Sequence, residues 1–363
     1  MNWKSLFAKL LLVLISIFLA LGLFEVFLRC IIPQDLIVPM PALADQELIY
    51  QLPANTKAYL KGTSVRWFHL ETNSLGLRDS EHELMKAPGT TRVLLLGDSM
   101  SMAEGVELEE TYIKQFEEKA NHQGLSTKIE TINAAIRGYG NDQEVVLFER
   151  VGMKFHPDLV ILAFFEGNDF DDNRRGGIFQ LKDGELIKTL PTVETSPKMR
   201  YYSQQIRIQN FPGYRLLVGH SHLVNFLRKK YAAYLTRRSD QQYLSSQGEK
   251  TIDEADWQLT TRILDRWRED CRKIKSIPLI LFIPDINNIR TYKKGEGSAN
   301  RKIDKRMNDF ASANNILFVN LADLFIRDPN LESLYLPDGH MSPLGHEKTA
   351  EEILRFLRDN KVI

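Results

Sequence analysis

A serine at position 99 closes the run Val93-Leu94-Leu95-Leu96-Gly97-Asp98-Ser99. An unbroken apolar run of that length suits a strand buried on both faces, and the glycine and acid mark a turn before a helical pattern. A hydroxyl placed there sits at the carboxyl edge of a sheet, where open α/β sheets bind their ligands. By itself Ser99 serves equally well as a helix cap. It is not the centre of a Gly-x-Ser-x-Gly elbow, because Met100 and Ser101 follow it.

A serine nucleophile needs a base, and the chain holds eight histidines. His340 and His346 fall in Pro337-Asp338-Gly339-His340-Met341-Ser342-Pro343-Leu344-Gly345-His346, ahead of the last helical pattern. Asp338, two residues before His340, can hold an imidazole by Nδ1 and stabilise its charged form. His340 is therefore the better base, and His346, at the start of a helix, reads as structural. His69, His82, His122 and His156 stand outside any such constellation, and no histidine pair has zincin spacing. His220-Ser221-His222 offers two metal-ligand types with no third in sight.

Acyl transfer also requires donors aimed at a developing oxyanion. Two loops at predicted strand ends supply them. Asn133-Ala134-Ala135-Ile136-Arg137-Gly138-Tyr139-Gly140 brings the backbone N–H of Gly138, and Glu166-Gly167-Asn168-Asp169 brings the side-chain amide of Asn168. Either loop alone reads as an ordinary turn. Their order along the chain, each at a strand end, ties them to Ser99.

The elements that must position these residues follow from hydrophobic patterning. Strands are predicted at Arg92–Gly97, Lys128–Asn133, Leu159–Phe164, Leu279–Ile283 and Ile316–Asn320. Helices are predicted near Glu109–His122, Asp142–Gly152, Ile252–Lys273, Asn300–Asn314 and His346–Arg358. Strands alternating with helices imply a parallel α/β sheet. A long insert, 172–253, interrupts the alternation. From Lys198 to Arg238 it holds Lys198, Arg200, Arg207, Arg215, Arg228, Lys229, Lys230, Arg237 and Arg238 and no acid, with Tyr201, Tyr202, Phe211, Tyr214, Phe226, Tyr231 and Tyr234 interleaved. It reads either as a lid or face for anionic lipid or glycan, or as a helical excursion with a solvated basic side.

The four blocks together resemble the SGNH/GDSL hydrolase superfamily over about Thr91 to Arg358, the insert excepted. Ser99 matches the Gly-Asp-Ser block, Gly138 the Asn-x-x-x-x-Gly block, Asn168 the Gly-Asn-Asp block, and Asp338 with His340 the block before the last helix. The resemblance implies a three-layer α/β/α, flavodoxin-like fold with about five parallel strands. It also implies Ser99 as nucleophile, His340 as base, Asp338 as its orienter, and an oxyanion hole of the Ser99 N–H, the Gly138 N–H and the Asn168 amide. Asn73-Ser74-Leu75-Gly76-Leu77-Arg78-Asp79 resembles a segment of anchored bacterial members. The final acid and histidine are spaced Asp-x-His where many members have Asp-x-x-His. The shorter spacing is similar to that of members that acetylate envelope polysaccharides, and it keeps a Ser99–His340 dyad open as an alternative.

Composition bounds the rest. Forty-seven basic residues balance forty-seven acidic ones, so no global field points to nucleic acid. Two cysteines, Cys30 and Cys271, exclude a disulfide framework or a multi-thiolate zinc site, and nothing calls for a metal or an organic cofactor. Between Leu10 and Leu28 the only charge is Glu25, and a helix there runs roughly 28 Å, nearly a bilayer core. Lys4 and Lys9 precede it, which places the N-terminus in the cytoplasm and the remainder outside. With no small-x-small site after the apolar run, a retained anchor is expected rather than a cleaved signal. The expected organisation is a membrane anchor at 1–32, a stalk and N-terminal extension at 33–90, and a hydrolase-like domain at 91–363. The expected activity is that of an extracytoplasmic serine esterase whose partner is an acyl ester, on an envelope glycan or a lipid. O-acyl transfer to a glycan hydroxyl and non-catalytic glycan binding are the alternatives.

Overall fold

The computed structural model describes residues 3–36, 39–61, 66–231, 252–293 and 301–363. Tyr234, Arg237 and Arg238 of the basic stretch lie outside them. The chain divides into two compact units, Met1–Pro39 with Arg207–Thr251, and Met40–Ile206 with Ile252–Ile363.

Helix α1 (Trp3–Ile31) belongs to the first unit and is long and apolar enough to cross a membrane. The second unit opens with two short antiparallel hairpins, β1 (Leu43–Asp45) with β2 (Ile49–Gln51) and β3 (Lys57–Lys61) with β4 (Trp67–Glu71). Then come β5 (Thr90–Leu96), a short helix α2 (Ser99–Met102), α3 (Tyr112–His122), β6 (Lys128–Asn133), α4 (Asn141–Arg150), β7 (Leu159–Phe165) and α5 (Asp169–Gly176). A hairpin of β8 (Phe179–Lys182) and β9 (Glu185–Lys188) and helix α6 (Pro197–Gln209) follow. In the first unit, α7 (Tyr214–His220) and a helix over 222–231, α8, come next. The second unit resumes with α9 (Glu254–Lys273), β10 (Ile277–Ile283), α10 (Ile286–Lys293), α11 (Arg301–Ala313), β11 (Leu317–Asn320), α12 (Leu321–Arg327) and α13 (Pro343–Asp359).

Five parallel strands in the order β11-β10-β7-β5-β6 form the central sheet. The expected parallel α/β architecture is present, and all five predicted strands are its members. Val93 through Leu96 are fully buried, as are Leu279 through Leu281. Each such side chain contributes roughly 1.5–3 kcal/mol of transfer free energy, which explains why the runs read as continuous rather than alternating. The first crossover goes from β5 out to β6, whereas the second returns past β5 to β7. Right-handed connections then put α3 on one face and α4, α9 and α11 on the other. Strand order therefore reverses between β5 and β7, and the loops that diverge there carry Ser99 and Asn168.

From Met40 onward, the segment set apart by sequence as an extension packs into this core. Leu48, Tyr50, Phe68 and Leu70 are buried, and Arg78 is fully buried with them. The Arg78 guanidinium donates to the carbonyls of Met102 at 2.5 Å, Ala103 at 2.8 Å, His69 at 2.9 Å and Val106 at 2.7 Å, and lies over the Phe68 ring. Burial pulls its pKa down to about 10 against the acids at Glu107 and Glu104, so it stays cationic at neutral pH. Its neighbour Asp79 accepts from the Asn133 N–H at 2.7 Å and pairs with Lys114 at 2.7 Å. The 73–79 segment is thus a clamp on the chain that follows α2. Arg78→Met is expected to cost about 3–5 kcal/mol, because three buried carbonyls and one partly buried one lose a charged donor. A denaturant melt of the protein checks this, and a loss below about 1 kcal/mol would show that the clamp is dispensable.

Candidate active site

β5 ends at Leu96, and the chain turns through Gly97 and Asp98 into α2. The helix cap is Asp98, whose Oδ1 accepts from the Met100 N–H at 2.8 Å. This resolves the competing reading of Ser99 as a cap: a carboxylate does that work, and the serine hydroxyl turns elsewhere. Ser99 Oγ lies 2.9 Å from Nε2 of His340. His340 Nδ1 lies 3.0 Å from Asp338 Oδ2, while Asp338 Oδ1 accepts from the His340 N–H at 3.2 Å. The close Asp-x-His spacing works because Gly339 takes φ +91°, a left-handed turn that lets both flanking side chains meet. A hydrogen bond from Gly339 N to the Leu336 carbonyl, at 2.9 Å, holds that turn.

His346 is fully buried in the helix that follows, where its Nδ1 accepts from the Tyr112 N–H at 3.2 Å and its ring stacks on Tyr112. Burial, with the charges of Arg78 and His340, drives its pKa down to about 3. It is a neutral packing imidazole, as its position in the first turn of α13 suggests.

The 133–138 loop runs alongside the turn that carries Ser99. Ile136 N donates to Gly97 O at 2.9 Å, and Asn133 Oδ1 accepts from Ala135 N at 3.0 Å. Gly138 has φ +71°, and a Cβ there would stand 2.5 Å from the Tyr202 hydroxyl and 3.0 Å from that of Tyr50. Tyr50 donates its hydroxyl to the carbonyl of Arg137. That carbonyl and the Gly138 N–H belong to one trans peptide, so holding the oxygen fixes the opposite direction of the N–H. Tyr50 is fixed in turn: it stacks on Tyr202 at 4.0 Å between centroids, and its own carbonyl accepts from Tyr139 Oη at 2.5 Å. Asn168 stands at the end of β7 and donates through Nδ2 to Asp98 Oδ2 at 3.1 Å. An amide has two N–H bonds, so one remains for a ligand.

Around these groups the charge is mostly acidic and mostly buried. Burial pushes Asp98 up to about 6, against its hydrogen bonds from Met100 and Asn168 and the attraction of His340. Burial pushes Glu144 and Asp169 well above their ordinary values, with the charge of Asp98 adding to both. Asn141 Nδ2 donates to both of them, at 3.1 and 2.9 Å. Burial lowers the His340 pKa, but the hydrogen bond and charge of Asp338, with the charges of Glu104 and Asp98, outweigh it and leave a net rise. Glu104 is buried and ion-paired to Arg137 at 2.9 Å.

Ser99, His340 and Asp338 are thus in one constellation. Gly138 and Asn168 each adjoin the turn that carries Ser99, Asn168 through Asp98. Sequence reasoning missed Asp98 as cap and amide holder, Glu104 beside the histidine, and the Tyr50–Tyr202 pair over Gly138. An acid immediately ahead of a helix start is a recognisable capping signal, so Asp98 was within reach. Tyr50 and Tyr202 lie far from Gly138 in the chain, and no local pattern connects them.

The sequence matches no family model, and no curated protein matches it. Among solved structures, it is similar to TesA, with a TM-score of 0.42 at 12% identity over 74% of this chain and 99% of that one. It is similar to a lipase/acylhydrolase from Enterococcus faecalis, with a TM-score of 0.41 at 14% identity over 74% of this chain and 96% of the other. It is similar also to the acetyl xylan esterase AlAXEase, with a TM-score of 0.41 at 15% identity over 73% of this chain and 98% of that one.

Proposed function

We propose that this chain is a serine esterase that forms an acyl-enzyme on Ser99. The observation that carries the reading is the 2.9 Å contact of Ser99 Oγ with His340 Nε2, backed by Asp338 at 3.0 Å from Nδ1. His340 takes the hydroxyl proton as Oγ attacks the ester carbonyl. The Ser99 and Gly138 N–H groups and the Asn168 amide receive the resulting oxyanion. His340 then protonates the departing alcohol, and the acyl group stays on Oγ. Water, deprotonated by His340, attacks the acyl-enzyme; the C–Oγ bond breaks, His340 returns the proton to Ser99 Oγ, and the acid leaves.

The work is proposed to take place outside the cytoplasm, since Lys4 and Lys9 precede a helix that can cross a membrane. O-acyl groups on an envelope glycan are the proposed substrates. The full-length protein in detergent, treated with a fluorophosphonate, is expected to label at Ser99. Given an acetylated glycan and an acceptor sugar, it is expected to release free acetate. Acetate recovered on the acceptor would replace hydrolysis by transfer, and absence of labelling with intact folding would leave a non-catalytic binding protein.

Tyr50 offers a finer test, because it touches no substrate in this scheme and acts only through the Arg137–Gly138 peptide. Tyr50→Phe keeps the ring stack and removes the hydroxyl. It is expected to lower kcat roughly 10- to 100-fold with KM within about twofold. A change confined to thermal stability would instead make Tyr50 a packing residue only.

A further inference from the structure

The first unit holds a feature that esterase chemistry does not use. Glu25, the lone charge in the apolar stretch of α1, is not left bare. Its Oε1 accepts from the His222 N–H at 2.9 Å, and its Oε2 accepts from the Leu223 N–H at 2.7 Å and the Ser221 hydroxyl at 2.9 Å. A carboxylate in that position caps the N-terminus of α8, where unpaired N–H groups and the helix dipole both favour an anion. Arg29 closes the junction, bonding Glu25 at 3.2 Å and the last carbonyl of α7, at His220, at 2.9 Å. His222 Nδ1 accepts from the Gln34 N–H at 2.8 Å, so its imidazole is engaged in tying the start of α8 to the end of α1. Phe226 packs edge-on against Phe24, and Lys229 pairs with Asp35 at 3.1 Å.

This docking fixes a depth. Glu25 lies six residues before the end of α1 at Ile31, roughly 9 Å along the axis. If α1 spans a bilayer, the α7–α8 junction is held within the zone where interfacial helices bury their apolar sides, about 5–10 Å into the headgroup boundary. The 211–231 segment is suited to that zone. Phe211 is 68% exposed, Leu216 65%, Leu227 55% and Tyr231 64%, in a segment whose exposed charges are Arg215, Arg228, Lys229 and Lys230. Leu227 and Tyr231 are one helical turn apart and share a face of α8. A solvated excursion would not need to leave such large apolar side chains uncovered.

We propose that the 211–231 segment, with α7 and α8, lies on the bilayer that α1 crosses, with Phe211, Leu216, Leu227 and Tyr231 at the acyl boundary and Arg215, Arg228 and Lys230 on the phosphates of anionic lipids. Charge complementarity selects the lipid, since Lys198–Arg238 contains no acid to repel a negative surface. The inference rests on α1 being a membrane span, and the experiment separates the two.

The full-length protein, with Cys30→Ser and Cys271→Ser, takes one environment-sensitive fluorophore at Leu14→Cys, Leu216→Cys or Leu227→Cys. Each variant is reconstituted into vesicles of phosphatidylcholine alone or with phosphatidylglycerol, with nitroxide quenchers at shallow or deep positions. The expected result is deep quenching at position 14, and shallow quenching at 216 and 227 that grows severalfold with phosphatidylglycerol. Arg228→Glu with Lys230→Glu is expected to abolish that growth. Water-like emission at 216 and 227, with position 14 still quenched, would overturn the placement of α7 and α8 alone. Equal shallow quenching in both vesicle types would overturn the choice of anionic lipid. Loss of quenching at position 14 would overturn the span itself.

Discussion

Ser99→Ala should abolish turnover, lowering kcat by about 10^4-fold or more while leaving KM and the melting temperature nearly unchanged. The serine is half-buried at the start of α2, and its hydroxyl is engaged with His340 rather than with the helix cap, which belongs to Asp98. Removing one oxygen therefore leaves the fold intact and takes away the atom to which the acyl group would bond. His340→Ala should cost a similar amount. The double variant should be no worse than either single one, because nucleophile and base act as a unit and their losses do not add. What survives is the slow reaction supported by the oxyanion donors and substrate binding. Steady-state kinetics on a small acetyl ester decide the matter. Activity retained in Ser99→Ala would refute the mechanism, and additive losses in the double variant would mean the two residues act in separate steps.

Asp338→Asn should lower kcat by roughly 10^2- to 10^4-fold and displace the acid limb of the pH profile. The base must be neutral to accept the serine proton, so activity rises with pH through the His340 pKa. Burial lowers that pKa, yet the Asp338 hydrogen bond, with the charges of Glu104, Asp338 and Asp98, holds it above the ordinary histidine value. An asparagine keeps a side chain of nearly the same shape but removes one of those charges and the acceptor that fixes the tautomer. The acid limb of kcat/KM should then move to lower pH, even as the plateau falls. A pH profile between about 5 and 8 reads both effects at once. A full plateau with an unmoved limb would support a Ser99–His340 dyad in which Asp338 has no part.

Much of the sheet was legible because buried parallel strands announce themselves as apolar runs. Lys128–Asn133 falls where patterning put it, and Leu279–Ile283 lengthens only to Ile277, where the strand edge becomes exposed. Helices α10 and α12 were not anticipated. Each is eight residues or fewer and follows directly on a strand, so a period of 3.6 has little room to declare itself. The 73–79 segment was noticed for its resemblance to other chains, yet its physical reason, a buried arginine gripping the backbone beyond α2, appears only in three dimensions. At the site, Ser99, Asp338 and His340 could be named from side-chain chemistry and order. The Tyr50–Arg137 contact could not, since it depends on a distant hairpin arriving at one carbonyl.

The buried acids of the second unit make folding a reaction that consumes protons. Burial puts Asp142 and Glu166 at about 7 and Asp98 at about 6, and raises Glu144 and Asp169 well above their ordinary values. In an unfolded chain the same carboxyls are ionised at neutral pH. Near neutrality the native state therefore holds more hydrogen ions than the denatured one, and its stability declines as pH climbs through those raised values. His346, with its pKa near 3, opposes this trend only below the ordinary histidine range. Calorimetric unfolding enthalpies at neutral pH should accordingly differ between buffers of high and low ionisation heat. A protein so constituted loses stability first toward alkali and retains it in mildly acidic surroundings.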